Sequence, residues 1–522
     1  MNNMKKVLYL SLLLLVPVFI SCVDDLGNDT MSEINEIEIS GIEESYTKIA
    51  RQETLEITPE IKGSLSASDE SNLSYEWFLC DNGIEPNHNH ITISTERNLN
   101  YFVESNPRNY TLYFSVLDNT TGLKWEKETE LNVVSPMVRG FYLAGDKADG
   151  TVGIDFLSFI DGRDTAVVKN IYLNAKNLKG AKNIVFTGYY YSDYLIDLWI
   201  MAENGSYQLE KSASLVEIKE IEDMNNPDRF LFPTVTVSKP EQVMDVLPRA
   251  YSRSNTIRSR SRIIMTENNC YAASVAYDPI EAYGNPFNCY AAASSELFKP
   301  SKYIFHRENT TSISGITLYD ETNHCFVRAN SYSNYGTPTY CIKLNDASSQ
   351  PFYFDQTKYT PVRDLVYGEN GVANAGRSYA LMGDANGKYF VYQFTAPSTA
   401  FAAYDIDMTV ATEFAQAEKY AFYSSQPIIL YAVGAKLYAY DYVRKDCKLV
   451  NTFDAEITYL AMDYSSNNST SHIWVATYGT SGKIYGYNIE DNQNAINVTP
   501  VEHEVFDTDL KVVKMEYRNV AI

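Results

Sequence analysis

The sequence predicts an all-β protein, and three observations lead to this fold class. Tyrosine, which favours β-strands, accounts for 42 of the 522 residues. Apolar residues recur at every second position in several short segments, such as residues 110–116, as in half-buried strands. A third observation is a sequence unit that recurs near the C-terminus at spacings of 48 and 47 residues without helical periodicity.

The N-terminus predicts export and a lipid anchor. Two lysines precede an apolar run at residues 7–20, which has the length of a signal-peptide core and is short for a membrane span. The run ends at Ser21-Cys22, which resembles the lipobox of bacterial lipoproteins. We therefore expect residues 1–21 to be a signal peptide, Cys22 to be lipidated and residues 22–32 to form a tether. An ordinary cleaved signal with an incidental cysteine is the alternative.

The residues after Cys22 indicate the outer face of the outer membrane. The acidic pair Asp24-Asp25 resembles the export tag of surface lipoproteins in one Gram-negative phylum, although a solvated tether has the same composition. Each buried lipid methylene adds about 0.8 kcal/mol, so the chains of a lipidated cysteine hold a domain stably on a membrane. We expect a lipid-anchored outer-membrane protein that faces the cell exterior.

The net charge argues against nucleic acid as a partner. The chain has 43 Lys and Arg residues against 66 Asp and Glu residues, a net charge of −23. Such a surface repels phosphate backbones. Hydrophobic residues make up 45% and charged residues 21%, which is typical of globular proteins. The composition thus predicts a folded, acidic protein.

Residues 33–135 predict an immunoglobulin-like β-sandwich. Residues 73–79 alternate and end at the turn Asp81-Asn82-Gly83, and about seven short strands with a central Trp77 are typical of this fold. We expect Trp77 in the core. Tyr75-Glu76-Trp77 and the run Tyr-x-Leu-x-Phe-x-Val-x-Asp that begins at Tyr110 resemble PKD and PKD-like modules of surface lipoproteins, over about 100 residues.

Residues 136–522 predict a β-propeller. Residues 388–394, 436–442 and 483–489 share the order Lys, apolar, aromatic, any, Tyr, polar, apolar, and each follows a glycine and an apolar strand. Each unit therefore contains a β-hairpin, and an all-β period of about 47 residues suits a four-stranded blade. The region accommodates seven or eight blades, and we expect seven.

Weaker copies of this unit and the C-terminal strand complete the propeller prediction. The copies begin near residues 150, 205, 270 and 324. We expect the last strand, residues 510–517, to pair with the first blade, because closure of the ring removes exposed sheet edges. The repeated tyrosines are then explained mainly by packing between blades.

The lipobox, the PKD-like front and the propeller-like back together resemble the PKD-like family lipoproteins. These proteins are encoded beside outer-membrane nutrient-uptake barrels and their lid lipoproteins, so the resemblance implies an accessory role at the cell surface. The expected function is non-enzymatic binding of a nutrient, glycan or peptide, or docking onto an outer-membrane nutrient-uptake complex. A propeller hydrolase or lyase acting on a polysaccharide, and a structural adhesin or scaffold, are the alternatives.

The sequence contains no common catalytic or metal motif, and we predict no enzyme activity, cofactor or metal. The patterns HExxH, GxSxG and GxxxxGK[ST] are absent. His88 and His90 lie near acidic residues, and a solvated loop is favoured there over a metal site. Hydrolysis by paired carboxylates stays an alternative because a sequence does not show which carboxylates converge.

An arginine cluster is the first predicted ligand site. Five arginines lie within residues 249–262 of this acidic chain. Guanidinium groups bind carboxylate, sulfate or phosphate through two parallel hydrogen bonds. We expect Arg253, Arg258, Arg260 and Arg262 to lie on a loop at a propeller face and to hold an anionic ligand or an acidic partner. A solvated insert between blades is the alternative.

Two tyrosines are the second predicted ligand site. Tyr332 and Tyr335 lie in a segment rich in Asn, Ser and Gly. Rigid aromatic rings in a polar loop suit sugar faces or peptide side chains. The six cysteines after Cys22 include the pairs 270/289 and 325/341, which are close enough in sequence for bridges, although buried thiols are favoured in so long a chain.

Overall fold

The computed structural model describes most of the chain between residues 34 and 519. The described ranges are 34–64, 70–81, 90–160, 162–187, 198–209, 220–223, 231–237, 242–247, 249, 261–274, 282–307, 315–331, 337–374, 376–463, 465, 471–490 and 494–519. Within them all regular structure is β apart from three short 3₁₀ turns, at Glu70–Asn72, Gln356–Lys358 and Phe414–Gln416. These ranges contain no helix of the length and hydrophobicity needed to cross a bilayer.

Contacts divide the chain into two compact units. The smaller one comprises Met1–Tyr46, Leu55–Tyr101 and Tyr110–Leu131, and the larger one comprises Thr47–Thr54, Phe102–Asn109 and Asn132–Ile522. The predicted boundary after residue 135 is a single cut, whereas this division assigns two short earlier segments to the larger unit. The domain boundaries therefore stay a prediction.

The N-terminal strands form the predicted sandwich. They are β1 Ile37–Ser40, β2 Ser45–Ile49, β3 Thr54–Ile57, β4 Glu60–Gly63, β5 Leu73–Asp81, β6 Ile91–Ser94, β7 Leu99–Phe102, β8 Arg108–Asp118 and β9 Lys124–Val134. One sheet has the order β2-β9-β8-β5-β6, and β1-β4 and β3-β7 are two-stranded. Trp77 is fully buried, and its ring lies 4.4 Å from that of Phe114, which confirms its place in the core.

The remaining strands form seven sheets within the described residues, which we number I to VII. Sheet I contains β10 Arg139–Asp146, β11 Val152–Ser158, β12 Ala166–Val168 and β35 Lys511–Asn519. Sheet II contains β13 Ala181–Phe186, β14 Leu198–Ala202, β15 Gly205–Leu209 and β16 Glu220–Asp223. Sheet III contains β17 Val243–Leu247, β18 Ser261–Thr266 and β19 Cys270–Ser274, and sheet IV contains β20 Thr317–Asp320, β21 Cys325–Ala329 and β22 Cys341–Lys343. Sheet V contains β23 Arg363–Asn370, β24 Ser378–Asp384, β25 Tyr389–Thr395 and β26 Thr399–Asp405. Sheet VI contains β27 Lys419–Tyr423, β28 Ile428–Val433, β29 Lys436–Asp441 and β30 Asp446–Thr452. Sheet VII contains β31 Glu456–Met462, β32 His472–Tyr478, β33 Gly482–Ile489 and β34 Val498–Thr508.

The last strand closes the larger unit. Strand β35 pairs with β10 from Arg139↔Asn519 to Asp146↔Lys511, with one bulge. It thereby becomes a member of sheet I although it follows sheet VII in the chain. The predicted pairing of the C-terminal strand with the first blade is confirmed.

Apolar clusters join every sheet to the next one around a ring. Seven clusters connect I with II, II with III, III with IV, IV with V, V with VI, VI with VII, and VII with I. At the last junction the ring of Trp474 from sheet VII lies 5.6 Å from that of Phe141 in sheet I. A cyclic series of such contacts defines a propeller, so the predicted all-β fold class is confirmed. The blade number itself stays a prediction, and the described residues contain seven sheets.

The repeated sequence unit occupies one structural position. The three strong copies are the third strands of sheets V, VI and VII, namely β25, β29 and β33. Their shared tyrosines, Tyr392, Tyr440 and Tyr487, each enter the cluster shared with the preceding sheet. The hydroxyls of Tyr440 and Tyr487 accept hydrogen bonds at 2.9 and 2.8 Å from Asp407 N and Asn451 Nδ2. The repeat therefore encodes packing between blades, as predicted.

The six described cysteines are thiols. The bridges 270/289 and 325/341, which the sequence left open, are not formed, and the favoured alternative of free thiols holds. Cys270, Cys325 and Cys341 lie in the apolar cluster between sheets III and IV. Burial raises the pKa of the Cys341 thiol well above its usual value, which makes it a small apolar side chain instead of a nucleophile.

Gly486 on β33 makes room for a side chain that crosses its strand. Its missing Cβ leaves space for Glu504, whose carboxylate lies 2.6 Å from Nε2 of His472 two strands away. Gly486→Ala should collide with this carboxylate and lower the free energy of unfolding by about 1–3 kcal/mol. Urea unfolding measures this loss. Gly284→Ala, at a glycine with open space around it, should change stability by less than about 0.5 kcal/mol, and equal losses in both variants would contradict the explanation.

Candidate functional site

The innermost strands of the ring enclose a cavity of about 490 Å³. Every sheet contributes to its lining through the strand, or bridged segment, that lies nearest the axis. Representative lining residues from sheets I to VII are Lys514, Asn183, Asp245, Tyr303, Tyr367, Tyr420 and Tyr459. This volume is in the range of small-molecule sites, which is roughly 300–1,000 Å³.

A buried ionic network forms one part of the cavity wall. The guanidinium of Arg249 lies 2.8 Å from Glu516 Oε2 and 2.5 Å from Asp245 Oδ1. The other oxygen of Glu516 accepts a hydrogen bond from the Phe186 N–H at 3.2 Å. The side chains of Arg249 and Glu516 are only 9% and 6% exposed, so each charge depends on the other for compensation. The network ties sheets I, II and III together at the axis.

Lys514 and Glu369 add further charges to the cavity. Lys514 Nζ lies 4.0 Å from Glu516 Oε2, and burial, followed by the positive charge of Arg249, lowers the pKa of its ammonium group. Glu369 accepts hydrogen bonds from the Phe422 N–H at 2.8 Å and from the Tyr367 hydroxyl at 3.1 Å. The cavity therefore contains groups of both signs held in defined places.

Tyrosine rings form a second part of the wall. The ring of Tyr367 lies 5.5 Å from that of Tyr303, at a steep angle, and 5.5 Å from that of Tyr420. Burial is the main cause that raises the pKa of all three phenols, so they stay protonated at neutral pH. Such a wall offers apolar ring faces next to hydroxyl groups.

His306 is a buried neutral histidine at the cavity. It is 2% exposed. Burial, followed by the positive charge of Arg249, lowers its pKa to about 4, while a backbone hydrogen bond with Arg307 and the negative charge of Asp245 act in the opposite direction. Its backbone N–H donates to Asn370 Oδ1 at 3.0 Å. At neutral pH the imidazole is therefore uncharged.

The lowered pKa of His306 predicts an acid-sensitive fold. Between pH 6.5 and pH 4 the unfolded chain binds a proton that the folded chain does not, so stability falls as the pH is lowered, by up to about 3 kcal/mol. Urea unfolding of the wild type and of His306→Gln at several pH values measures the difference in pH dependence. His503→Gln, at a 90% exposed side chain, is the control and should keep the wild-type profile. Identical profiles for wild type and His306→Gln would contradict this prediction.

The predicted ligand residues are only partly within the described chain. Cys22, Arg253, Arg258, Arg260, Tyr332, Tyr335 and His88 lie outside the described residues. Arg262 lies inside strand β18, 1% exposed, and not on a surface loop, so its predicted location is wrong. Its guanidinium carbon lies 5.9 Å from the ring centre of Trp199, and Nη2 donates to Thr187 Oγ1 at 3.5 Å. A buried ring and a hydroxyl are therefore among the contacts of this guanidinium.

The cavity residues were not predicted from the sequence. Arg249 belongs to the arginine cluster, but its partners Asp245 and Glu516 were not identified. One usable signal exists, since Lys302-Tyr303 and Lys419-Tyr420 repeat one dipeptide at the start of an innermost segment. His90 pairs with Glu76, its Nε2 lying 2.7 Å from Oε1. In the described part of the chain, no three His, Cys, Asp or Glu side chains are arranged as a metal site.

Comparisons with known proteins concern the fold. A comparison with curated proteins gives no match. A Quinonprotein alcohol dehydrogenase-like protein from Bacteroides thetaiotaomicron is 14% identical, with a TM-score of 0.39 over 91% of this chain and 97% of that chain. The extracellular domain of a hybrid two-component system from the same organism is 9% identical, with a TM-score of 0.36 over 89% and 69%. Hsv2p of Kluyveromyces lactis is 6% identical, with a TM-score of 0.35 over 74% and 100%.

These structural similarities are too distant to assign a chemical activity to this chain. The assignment of a propeller fold depends on the sheet topology of the chain itself. The family comparison is more direct, because the model of the PKD-like family matches residues 22–181. The match begins at the predicted lipidated cysteine, covers the sandwich and extends into sheet I. The N-terminal region of this chain, residues 22–181, is thus similar to the PKD-like family.

Proposed function

We propose that this chain is a non-enzymatic protein of the bacterial cell surface that binds a glycan in the axial cavity. The observation that carries the proposal is the combination, in one cavity, of a tyrosine wall with fixed ionic and hydrogen-bonding groups. Sugars present apolar ring faces and many hydroxyls, and sites of this composition match both features.

The state of the carboxylates favours binding over hydrolysis. Glycosidases use one carboxylic acid and one carboxylate that are available to the substrate. In the cavity Asp245 and Glu516 are engaged by Arg249, and Glu369 accepts two hydrogen bonds. Engaged carboxylates of this kind hold the wall in place and orient a ligand, which supports a binding role.

The cellular location is part of the proposal. The signal-like N-terminus, the lipobox-like Ser21-Cys22 and the acidic pair after it support lipid anchoring at the outer face of the outer membrane. The PKD-like region supports the same assignment through the family resemblance. Docking onto a nutrient-uptake barrel would place the cavity where a bound glycan is transferred to that barrel.

Titration of the chain from residue 34 onwards with a panel of oligosaccharides tests the proposal. Ala461 lines the cavity, and Ala461→Trp should fill it and weaken binding by about tenfold or more. Ala347→Trp, at an exposed turn, is the matched control and should bind as the wild type does. Binding of no oligosaccharide, or equal binding by both variants, would overturn the proposal. Release of shortened products from a bound glycan would instead establish the hydrolase or lyase.

A further inference from the structure

Three lysines lie at or just before the beginning of an innermost segment. Lys182 is the second residue of β13, Lys419 is the first residue of β27, and Lys302 precedes Phe305, which is bridged to Thr317 of β20. All three line the axial cavity. Because the chain enters each of these sheets through its innermost segment, these segments run in one direction along the axis and their beginnings meet at one mouth of the channel.

The contacts of these lysines leave their charge available to a ligand. Lys182 and Lys419 lie 3.7 Å from carboxylates of Glu267 and Glu418, and these pairs are solvent-exposed. Exposed pairs of this kind contribute little, about 0–1 kcal/mol. Lys302 has its ammonium 5.2 Å from the ring centre of Tyr303 and forms no ion pair with any described carboxylate. None of the three is held in a close, buried ion pair.

The charge of the cavity lining contrasts with that of the chain. The whole chain has 43 basic against 66 acidic residues. Among the described residues that line the cavity, five are basic and four are acidic. Asp245 and Glu516 share the guanidinium of Arg249, and Lys514 Nζ also lies 4.0 Å from Glu516. Glu369 is hydrogen-bonded to the Phe422 N–H, and Glu418 lies 3.7 Å from Lys419. A cleft with low-dielectric walls focuses the field of its remaining charges.

We propose that the glycan bound in this cavity is acidic, with its carboxylate or sulfate groups held by Lys182, Lys302 and Lys419 at the mouth. This inference rests on the proposed function and specifies its ligand class. The tyrosine wall formed by Tyr303, Tyr367 and Tyr420 contacts the sugar rings, and Lys302 and Lys419 each directly precede a tyrosine of that wall. One arrangement therefore offers a ring face and a cation side by side to each acidic sugar unit.

The test is calorimetric titration of the chain from residue 34 onwards with four probes. Trigalacturonate is compared with its methyl ester, which has the same shape without the charge, and a sulfated galactan oligosaccharide with its desulfated form. The variant Lys182→Gln/Lys302→Gln/Lys419→Gln removes the mouth lysines. The variant Lys169→Gln/Lys299→Gln/Lys388→Gln removes the same charge outside the cavity lining.

The wild type is expected to bind at least one charged probe about tenfold or more tightly than its neutral counterpart, and this preference should weaken with added salt. The mouth variant should lose the preference and the control variant should keep it. Equal affinity for charged and neutral probes overturns the inference while the glycan-binding function stands. Binding of none of these probes, in a protein that binds other, neutral glycans, also overturns the inference alone; binding of no glycan overturns both. Tight binding of a polyglutamate peptide without glycan binding would indicate that the mouth binds an acidic protein partner. That result would overturn the inference.

Discussion

A chain that ends at Asp509, before the closing strand, is expected not to reach the native propeller fold. Strand β35 and the residue before it supply Leu510, Val512 and Met515 to the apolar cluster between sheets VII and I, and each is buried. Burial of such side chains contributes roughly 2 kcal/mol each, and their sum is comparable to the whole stability of a typical domain. The truncation also leaves β10 as an open sheet edge.

Near-ultraviolet circular dichroism and size-exclusion chromatography measure this effect. The truncated chain should lose its fixed tertiary signal and associate through the exposed edge. The control is a chain that ends at Asn519, which keeps all of β35 and should retain the wild-type spectrum. A synthetic peptide of residues 510–519 added in trans should restore part of the signal, because an extended peptide can add to an open sheet edge. A folded, monomeric truncated chain would show that the ring does not depend on its closing strand.

Replacement of Arg249 is expected to have the second large effect. Arg249→Met leaves the carboxylates of Asp245 and Glu516 without their cation, and Glu516 is almost fully buried. Removal of one partner from a buried ion pair costs about 3–5 kcal/mol, because the remaining charge is uncompensated. We expect a loss of this size in the free energy of unfolding, measured by urea titration.

Two controls separate the network from a general effect of charge. Lys299→Met breaks the exposed pair with Glu321 and should cost less than about 1 kcal/mol. The triple variant Arg249→Met/Asp245→Asn/Glu516→Gln removes all three charges. It should recover much of the loss, since the amide introduced by Glu516→Gln still offers an oxygen to the Phe186 N–H. Similar losses for Arg249→Met and Lys299→Met would contradict the description of the axial network.

The fold was predictable because its main signals are local and repeated. Each strong copy of the unit has a tyrosine at the same position, and this tyrosine packs on the preceding sheet. The need for a tyrosine there recurs once per blade, and it therefore appears in the sequence as a repeat. The closing strand was predictable from the need to cover the edge of β10. Trp77 was predictable because a large ring in an alternating strand is most stable in the core.

The cavity was not predictable because its lining is assembled from distant segments. Arg249 and Glu516 are 267 positions apart in the sequence, and no short motif contains both. The location of Arg262 was predicted wrongly for the same reason, because its contacts come from distant segments. Serine and arginine around it are typical of a solvated loop, but Trp199 and Thr187, which its guanidinium contacts in the folded chain, are far from it in the sequence.

A crystal structure of the chain with a bound oligosaccharide tests the central claim, that the axial cavity is the ligand site, most directly. We expect sugar density inside the ring, against the tyrosine wall of Tyr303, Tyr367 and Tyr420 and within reach of Lys302 and Lys419. Density on the sandwich or on the outer edges of the sheets, with the channel unchanged, would contradict it.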